Sequence, residues 1–262
     1  MTTDADRKPA PAAYNRQLLL LGPKRDQVLN LWEVQRYGSD SYGDADYVSI
    51  YGLPPAIWYG KGIRLLGRTV VECTRDQLAD AIGRDTATAA KSSPATLGVT
   101  VIDPFAGSGN TLYWILHHLP QAQGWGFELD QVVFQMTKRN LSILGLSIDI
   151  THADYVAALR GLNVADEQLL VAFIAPPWGD ALNGSAGLDL RRTSPPISEI
   201  VDSLSQHFPN RTLFSIQVYE RIDSASLAEL TAQFDWSELR IYDFNPPGQN
   251  HGLLLGTRGW RP

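Results

Sequence analysis

The chain has 262 residues, 44% hydrophobic and 19% charged, with a formal net charge of −6 at pH 7; this composition supplies a globular core and excludes a low-complexity chain. No apolar run reaches the roughly 18 to 20 residues that span a bilayer, and the one cysteine, Cys73, excludes an internal disulfide and a cysteine-rich metal cluster, so it reads as a small core residue. The acidic excess lies in residues 99–262, which argues against wrapping a long nucleic acid and leaves the N-terminal third the better source of contacts to an anion.

Residues 1–25 start polar and proline-containing, without the apolar core of a secretory signal. They read as a leader without fixed structure on a cytoplasmic protein. An accessory, substrate-facing segment is expected over 26–98. Val28, Leu29, Leu31, Trp32 and Tyr37 suit a short amphipathic helix over 26–37, and the Gly-, Pro- and aromatic-rich stretch 42–67 suits irregular structure. Thr74 followed by Gln77 has the spacing of a capping box ahead of a helix containing Leu78, Ala79 and Ile82. Residues 84–96, small and polar with Pro94, read as a linker.

From residue 99 onward, short apolar runs alternate with helical segments at βα spacing. Strands are predicted at 99–103, 124–128, 147–151, 169–174, 212–218, 239–244 and 252–257, and helices at 111–118, 131–144, 196–207 and 224–234. The fold class is therefore α/β, a doubly wound, seven-stranded, mostly parallel sheet over 99–262. Its last two strands would be joined by Asn245-Pro-Pro-Gly, with the final strand antiparallel.

The chemistry centres on an apolar strand ending at Asp103 and running through a Gly107-x-Gly109 turn into a helix. Glycines there let a ligand approach the backbone. Glu128, at the end of the next strand, can accept both hydroxyls of a ribose. A dinucleotide turn would carry a third glycine where Leu112 stands, and the Gly-Lys-Ser/Thr of a phosphate loop is absent from the turn. Asp103 would repel a pyrophosphate but suits an ammonium. The pattern favours S-adenosylmethionine over a nicotinamide dinucleotide, with an ordinary strand-to-helix turn as the plain alternative.

Asp103-Pro-Phe-Ala-Gly-Ser-Gly-Asn-Thr111 resembles the Asp-Pro-Phe-x-Gly-x-Gly signature of class I S-adenosylmethionine-dependent methyltransferases. Ile174-Ala-Pro-Pro-Trp-Gly179 resembles their Asp/Asn/Ser-Pro-Pro-Tyr/Trp motif. Within that superfamily the chain is most similar to the trimethylguanosine synthase-type RNA cap guanine-N2 methyltransferases. Trp32-Glu-Val-Gln-Arg-Tyr37 and Cys73-Thr-Arg-Asp-Gln-Leu-Ala79 resemble two of their upstream segments, the second without its proline. The resemblance implies a Rossmann-like methyltransferase fold and S-adenosylmethionine as cofactor. By it, Thr74 would touch the cofactor, Asp103, Phe105, Gly107, Gly109 and Asn110 would surround its methionine end, Glu128 would hold its ribose, and Asp154 and Tyr155 would flank its adenine. Ala175, Pro176, Pro177 and Trp178 would face the reacting group. Ala175 departs from the motif, which leaves backbone carbonyls to orient an amine.

Trp178 reads either as a stacking surface for a planar substrate or as a core residue. Trp32, Trp58 and Tyr59 read as packing between the accessory segment and the main domain, with an opposite pocket wall as the alternative. His251 reads as a loop histidine or a general base. Arg191 and Arg192, in the Gly/Asn/Ser-rich loop 180–193, read as anion ligands on a closing loop or as solvated residues. The histidines lack metal-ligand spacing. The expected partner is a small molecule or discrete nucleotide methylated at nitrogen, with a protein partner left open. The competing readings are a methyltransferase-like fold that transfers no methyl group and, further off, a nicotinamide-dependent reductase.

Overall fold

The computed structural model of the chain describes residues 14–183, 185–245 and 249–262. The apolar runs become strands β1 (Val99–Asp103), β2 (Gln123–Glu128), β3 (Asp149–His152), β4 (Leu169–Ile174), β5 (Leu182–Asn183), β6 (Gly187–Leu188), β7 (Thr212–Tyr219), β8 (Trp236–Tyr242) and β9 (His251–Arg258). The helices are α1 (Leu31–Tyr42), α2 (Pro55–Gly60), α3 (Gly67–Glu72), α4 (Asp76–Lys91), α5 (Asn110–His118), α6 (Gln131–Leu144), α7 (Tyr155–Leu159), α8 (Ile197–His207) and α9 (Ser224–Thr231). Seven strands form one sheet in the order β3-β2-β1-β4-β7-β9-β8, and β5 pairs with β6 apart from it. The pairings β1–β2, β1–β4, β2–β3 and β4–β7 are parallel, while β9 runs antiparallel to both β7 and β8.

Alternation along the strands supplies two cores. Val101, Val171, Phe173, Leu213 and Leu253 face one side with Leu78 and Ile82 of α4 and Leu112 and Ile115 of α5. Ile102, Leu170, Ile174, Phe214 and Leu254 face the other, with Tyr155 and Leu159 of α7 and Ile200, Val201 and Leu204 of α8. Each fully buried large apolar side chain contributes about 1.5–3 kcal/mol, so β4, buried along its whole length, anchors the sheet. Residues of the N-terminal segment, among them Leu29, Val34, Tyr37, Ile50 and Trp58, belong to the first core.

Several boundaries differ from those expected, each for a local reason. Of the residues expected to be leader, 1–13 lie outside the described residues, whereas Gln17–Leu21 forms a π-helical turn that buries Leu19 and Leu20. The first amphipathic helix starts later than 26 because Asn30 and Glu33 close a reciprocal capping box. No capping box forms at Thr74 and Gln77: Arg75 occupies the N-cap position without a side-chain bond. The expected linker 84–96 is instead helix as far as Lys91. Its small residues permit close packing, since a Cβ on Gly83 would lie 2.6 Å from the Trp114 carbonyl of α5. The last helix stops at Thr231, and Phe234 turns inward to stack on Phe214 at 5.5 Å. The turn Pro246–Gly248 expected between the last strands lies outside the described residues. No helix among the described residues is long and apolar enough to cross a membrane.

Candidate functional site

Strand order reverses between β1, whose successors lie on one side, and β4, whose successors lie on the other. In an open α/β sheet such a switch point opens a crevice at the carboxyl ends of the strands, where ligands bind. β1 ends there with Asp103 and β4 with Ile174, which Ala175 to Trp178 follow.

The turn after β1 is held from several sides. Gly107 and Gly109 have φ of 50° and 72°, left-handed values that side chains with a Cβ resist. Glu128 Oε2 accepts from the Gly107 amide at 3.0 Å and its Oε1 from the Asp130 amide at 2.7 Å. Each carboxylate oxygen keeps a further lone pair for a ligand hydroxyl. Thr137 of α6 donates to the Gly107 carbonyl at 2.7 Å.

Asp103 is 1% exposed, and its Oδ1 accepts from the Phe105 amide at 3.0 Å. No basic side chain pairs with it among the described residues. Burial pushes its carboxyl up to about 7, the Phe105 N–H opposing and the nearby Glu128 carboxylate adding to the rise. Glu128 is also raised by burial, with its two N–H bonds opposing. Two neighbouring strand tips therefore offer carboxylates without a direct ion pair among the described residues, Arg68 acting on Glu128 only at longer range.

The other expected cofactor residues divide into two groups. The Phe105 and Tyr155 rings meet at 5.4 Å and form one apolar wall. Asp154 is exposed and caps α7, Oδ1 accepting from the amides of Val156 and Ala157 at 2.9 and 3.3 Å. Asn110 and Thr74 are engaged inside the protein. Asn110 Nδ2 donates to the Thr74 carbonyl at 2.7 Å and to Asp76 at 3.2 Å, while its Oδ1 accepts from the Tyr51 amide at 2.7 Å. The Thr74 hydroxyl donates to Gln217 Oε1 at 2.8 Å. These bonds join the N-terminal segment to the glycine turn.

At the end of β4, Ala175 and Trp178 are half-buried, Pro176 is buried and Pro177 exposed. The Trp178 ring lies 5.2 Å from that of His251 and 6.3 Å from that of Tyr219, so Trp178 sits among aromatics after the end of β4, half-buried against the second core. Of the aromatic cluster expected in the accessory segment, Trp58 is fully buried and donates to the Val48 carbonyl, Tyr59 packs against the first core with Arg64 3.7 Å over its ring, and Trp32 is 60% exposed against Tyr14. Arg191 is held by Asp189 and Asp223, Arg192 is exposed, and Leu188 and Leu190 beside them are buried in the second core.

Tyr51, Arg75 and Gln217 were not singled out from sequence. Tyr51 adopts φ 56°, and its hydroxyl donates to the Ser108 carbonyl inside the turn. Arg75 is 7% exposed, donates to Tyr47 and Asn245, and lies 4.2 Å over the Tyr47 ring. Gln217 carried a readable signal: a long polar side chain inside an otherwise buried strand requires partners.

No protein-family model matches the chain, and none of the curated proteins matches it in sequence. Its structure is similar to that of the METTL16 MTase domain, with a TM-score of 0.51 and 13% identity over 73% of this chain and 72% of that one. A Listeria monocytogenes protein described as a class I S-adenosylmethionine-dependent methyltransferase aligns with a TM-score of 0.49 and 14% identity over 70% of this chain, which spans 62% of that protein. The C-terminal domain of precorrin-6Y C5,15-methyltransferase from Rhodobacter capsulatus aligns with a TM-score of 0.45 and 16% identity over 71% and 91% of the two chains. At these identities the likeness is one of fold: an α/β methyltransferase-type sheet.

Proposed function

We propose that the chain is an S-adenosylmethionine-dependent methyltransferase whose acceptor is a small molecule or discrete nucleotide, methylated at nitrogen. The observation that carries this reading is the buried, cation-free Asp103 carboxylate beside a left-handed glycine turn and a second carboxylate at the next strand tip. That set fits the donor: Asp103 would receive its ammonium, Glu128 its ribose hydroxyls, and Phe105 with Tyr155 an apolar flank. Thr74 and Asn110 serve as braces for the turn, because their polar atoms are already bonded within the protein.

The bound donor supplies an already activated sulfonium methyl group, so the protein's task is alignment and exclusion of water. Trp178 would lie against a planar acceptor. The carbonyls of Ala175 and Pro176 would accept from an amine and turn its lone pair toward the methyl group. A guanine-N2 acceptor, the finer likeness of the sequence, would have to bind through these carbonyls, since Ala175 lacks the polar side chain of the motif.

Calorimetry of the full chain with S-adenosylmethionine tests the reading. Micromolar binding that Asp103→Ala weakens at least about tenfold is expected; equal affinity in both proteins sinks it. Ala175 favours one second reading, a methyltransferase-like fold that binds the donor without transferring its methyl group. Transfer of a labelled methyl to any acceptor from a metabolite extract would exclude that alternative.

A further inference from the structure

The mouth of the crevice contains a polar chain that positioning the donor does not require. In β7 the side chains of Ser215 and Gln217 are 0% and 6% exposed, and two residues apart they share one face of the sheet. Ser215 is satisfied by the Thr86 hydroxyl of α4 at 2.6 Å. Gln217 accepts from Thr74 Oγ1 at 2.8 Å and donates from Nε2 to His251 Nδ1 at 3.0 Å. An amide N–H given to Nδ1 places the proton of a neutral imidazole on Nε2. That Nε2–H has no hydrogen-bond partner among the described residues, and its ring lies 5.2 Å from Trp178.

The surroundings favour the neutral form. Burial holds the imidazole down at about 4, the Arg75 guanidinium adds to the fall, and Glu220 opposes it. Arg75 itself forms no ion pair with a carboxylate among the described residues; its bonds go to the Tyr47 hydroxyl and Asn245 Oδ1. His251 therefore offers one N–H donor here, with the aromatic face of Trp178 beside it.

We propose that His251 donates a hydrogen bond through Nε2 to the methyl acceptor, and that the acceptor is a planar molecule with a carbonyl or carboxylate oxygen received there while its ring lies on Trp178. This rests on the methyltransferase reading. Gln217 and Thr74 are then positioning residues that set the imidazole tautomer. His251 is no general base in this arrangement, because the nitrogen free to meet substrate already carries the proton.

The test uses the full chain, uniformly 15N-labelled and saturated with S-adenosylhomocysteine, titrated with benzamide, benzoate and aniline and followed by long-range 15N–1H NMR. His251 is expected as the Nε2–H tautomer. Benzamide or benzoate should bind about tenfold more tightly than aniline, the yield of one hydrogen bond, and the benzamide-to-benzoate ratio separates a neutral from an anionic acceptor. His251→Phe should erase the preference at unchanged S-adenosylhomocysteine affinity, His251→Gln should restore part of it, and Gln217→Glu should move the proton to Nδ1. An Nδ1–H tautomer in the wild type, the absence of a preference, or a preference that survives His251→Phe overturns the proposal. Failure of S-adenosylhomocysteine to bind the wild type sinks the methyltransferase reading, and this inference with it; binding without the preference sinks the inference alone.

Discussion

Burial of a carboxylate that is 1% exposed, as Asp103 is, disfavours its charged form by more than the bond from the Phe105 N–H favours it. With its folded-state value at about 7, the native chain holds more protons than the unfolded chain between about pH 4 and pH 7. Stability of the ligand-free protein should therefore fall as pH rises through that window and level off above it. Asp103→Asn should flatten this dependence and raise Tm at pH 8 in scanning calorimetry. Donor affinity should move the other way, rising about tenfold from pH 6 to pH 8 as the carboxylate ionises, and Asp103→Asn should abolish the rise in titration calorimetry. Tyr51 is the second residue with a cost attached. An aromatic side chain at φ 56° costs on the order of 1–3 kcal/mol, which the bonds from its amide to Asn110 and its hydroxyl to Ser108 offset. Tyr51→Phe should weaken S-adenosylmethionine binding a few-fold while circular dichroism at 25 °C stays unchanged; unaltered affinity would show that the turn needs no brace.

The turn between β1 and α5 is shaped as much by its neighbours as by its own glycines. Gly126, in the middle of β2, lies beneath it: a Cβ there would stand 2.5 Å from Ile150 Cδ1 and 2.8 Å from Ala106 Cβ. Gly126→Ala should therefore destabilise the chain by about 1–3 kcal/mol, read as a shift in the urea midpoint, and should also weaken donor binding by displacing Ala106 and the glycines after it. Helix α4 shows why composition alone misleads. A run of Ala, Thr, Gly and Ser resembles a linker, yet Thr86, Ala87, Ala89 and Ala90 are buried, and small side chains are what a helix needs to approach a neighbour closely. Asp76 at its first turn accepts from Trp114 Nε1 at 2.7 Å and from the Gly52 amide at 3.0 Å, which locks α4, α5 and the aromatic segment together.

Across the molecule, the N-terminal segment and the sheet share one continuous core, and the bonds from the Tyr51 amide to Asn110 and from Asn110 to the Thr74 carbonyl cross the expected domain boundary at residue 98. A chain reduced to residues 99–262 would expose the sheet face that Leu78 and Ile82 cover. It should fail to give a cooperative thermal transition by circular dichroism; a two-state melt of that fragment would show that residues 26–98 are an independent appendage.

The order of the seven sheet strands and of α5, α6, α8 and α9 was legible in the sequence, because burial on a sheet imposes a period of two and on a helix a period of 3.6, and both leave their imprint on neighbouring residues; the short α7 and the β5–β6 pair, two to five residues each, were too brief to show a period. The Asp103 turn and Glu128 were legible for a related reason: a short segment contains both the strand end and the bend that follows it. Residues from distant parts of the chain were not. That Thr74, Gln217, His251 and Trp178 connect, that Asn110 braces Tyr51, and that Arg191 reaches Asp223, depends on side chains brought together across 32 to 143 positions of sequence. Local periodicity carries no trace of such meetings, which are decided when the two faces of the sheet are packed and each buried polar group must find a partner.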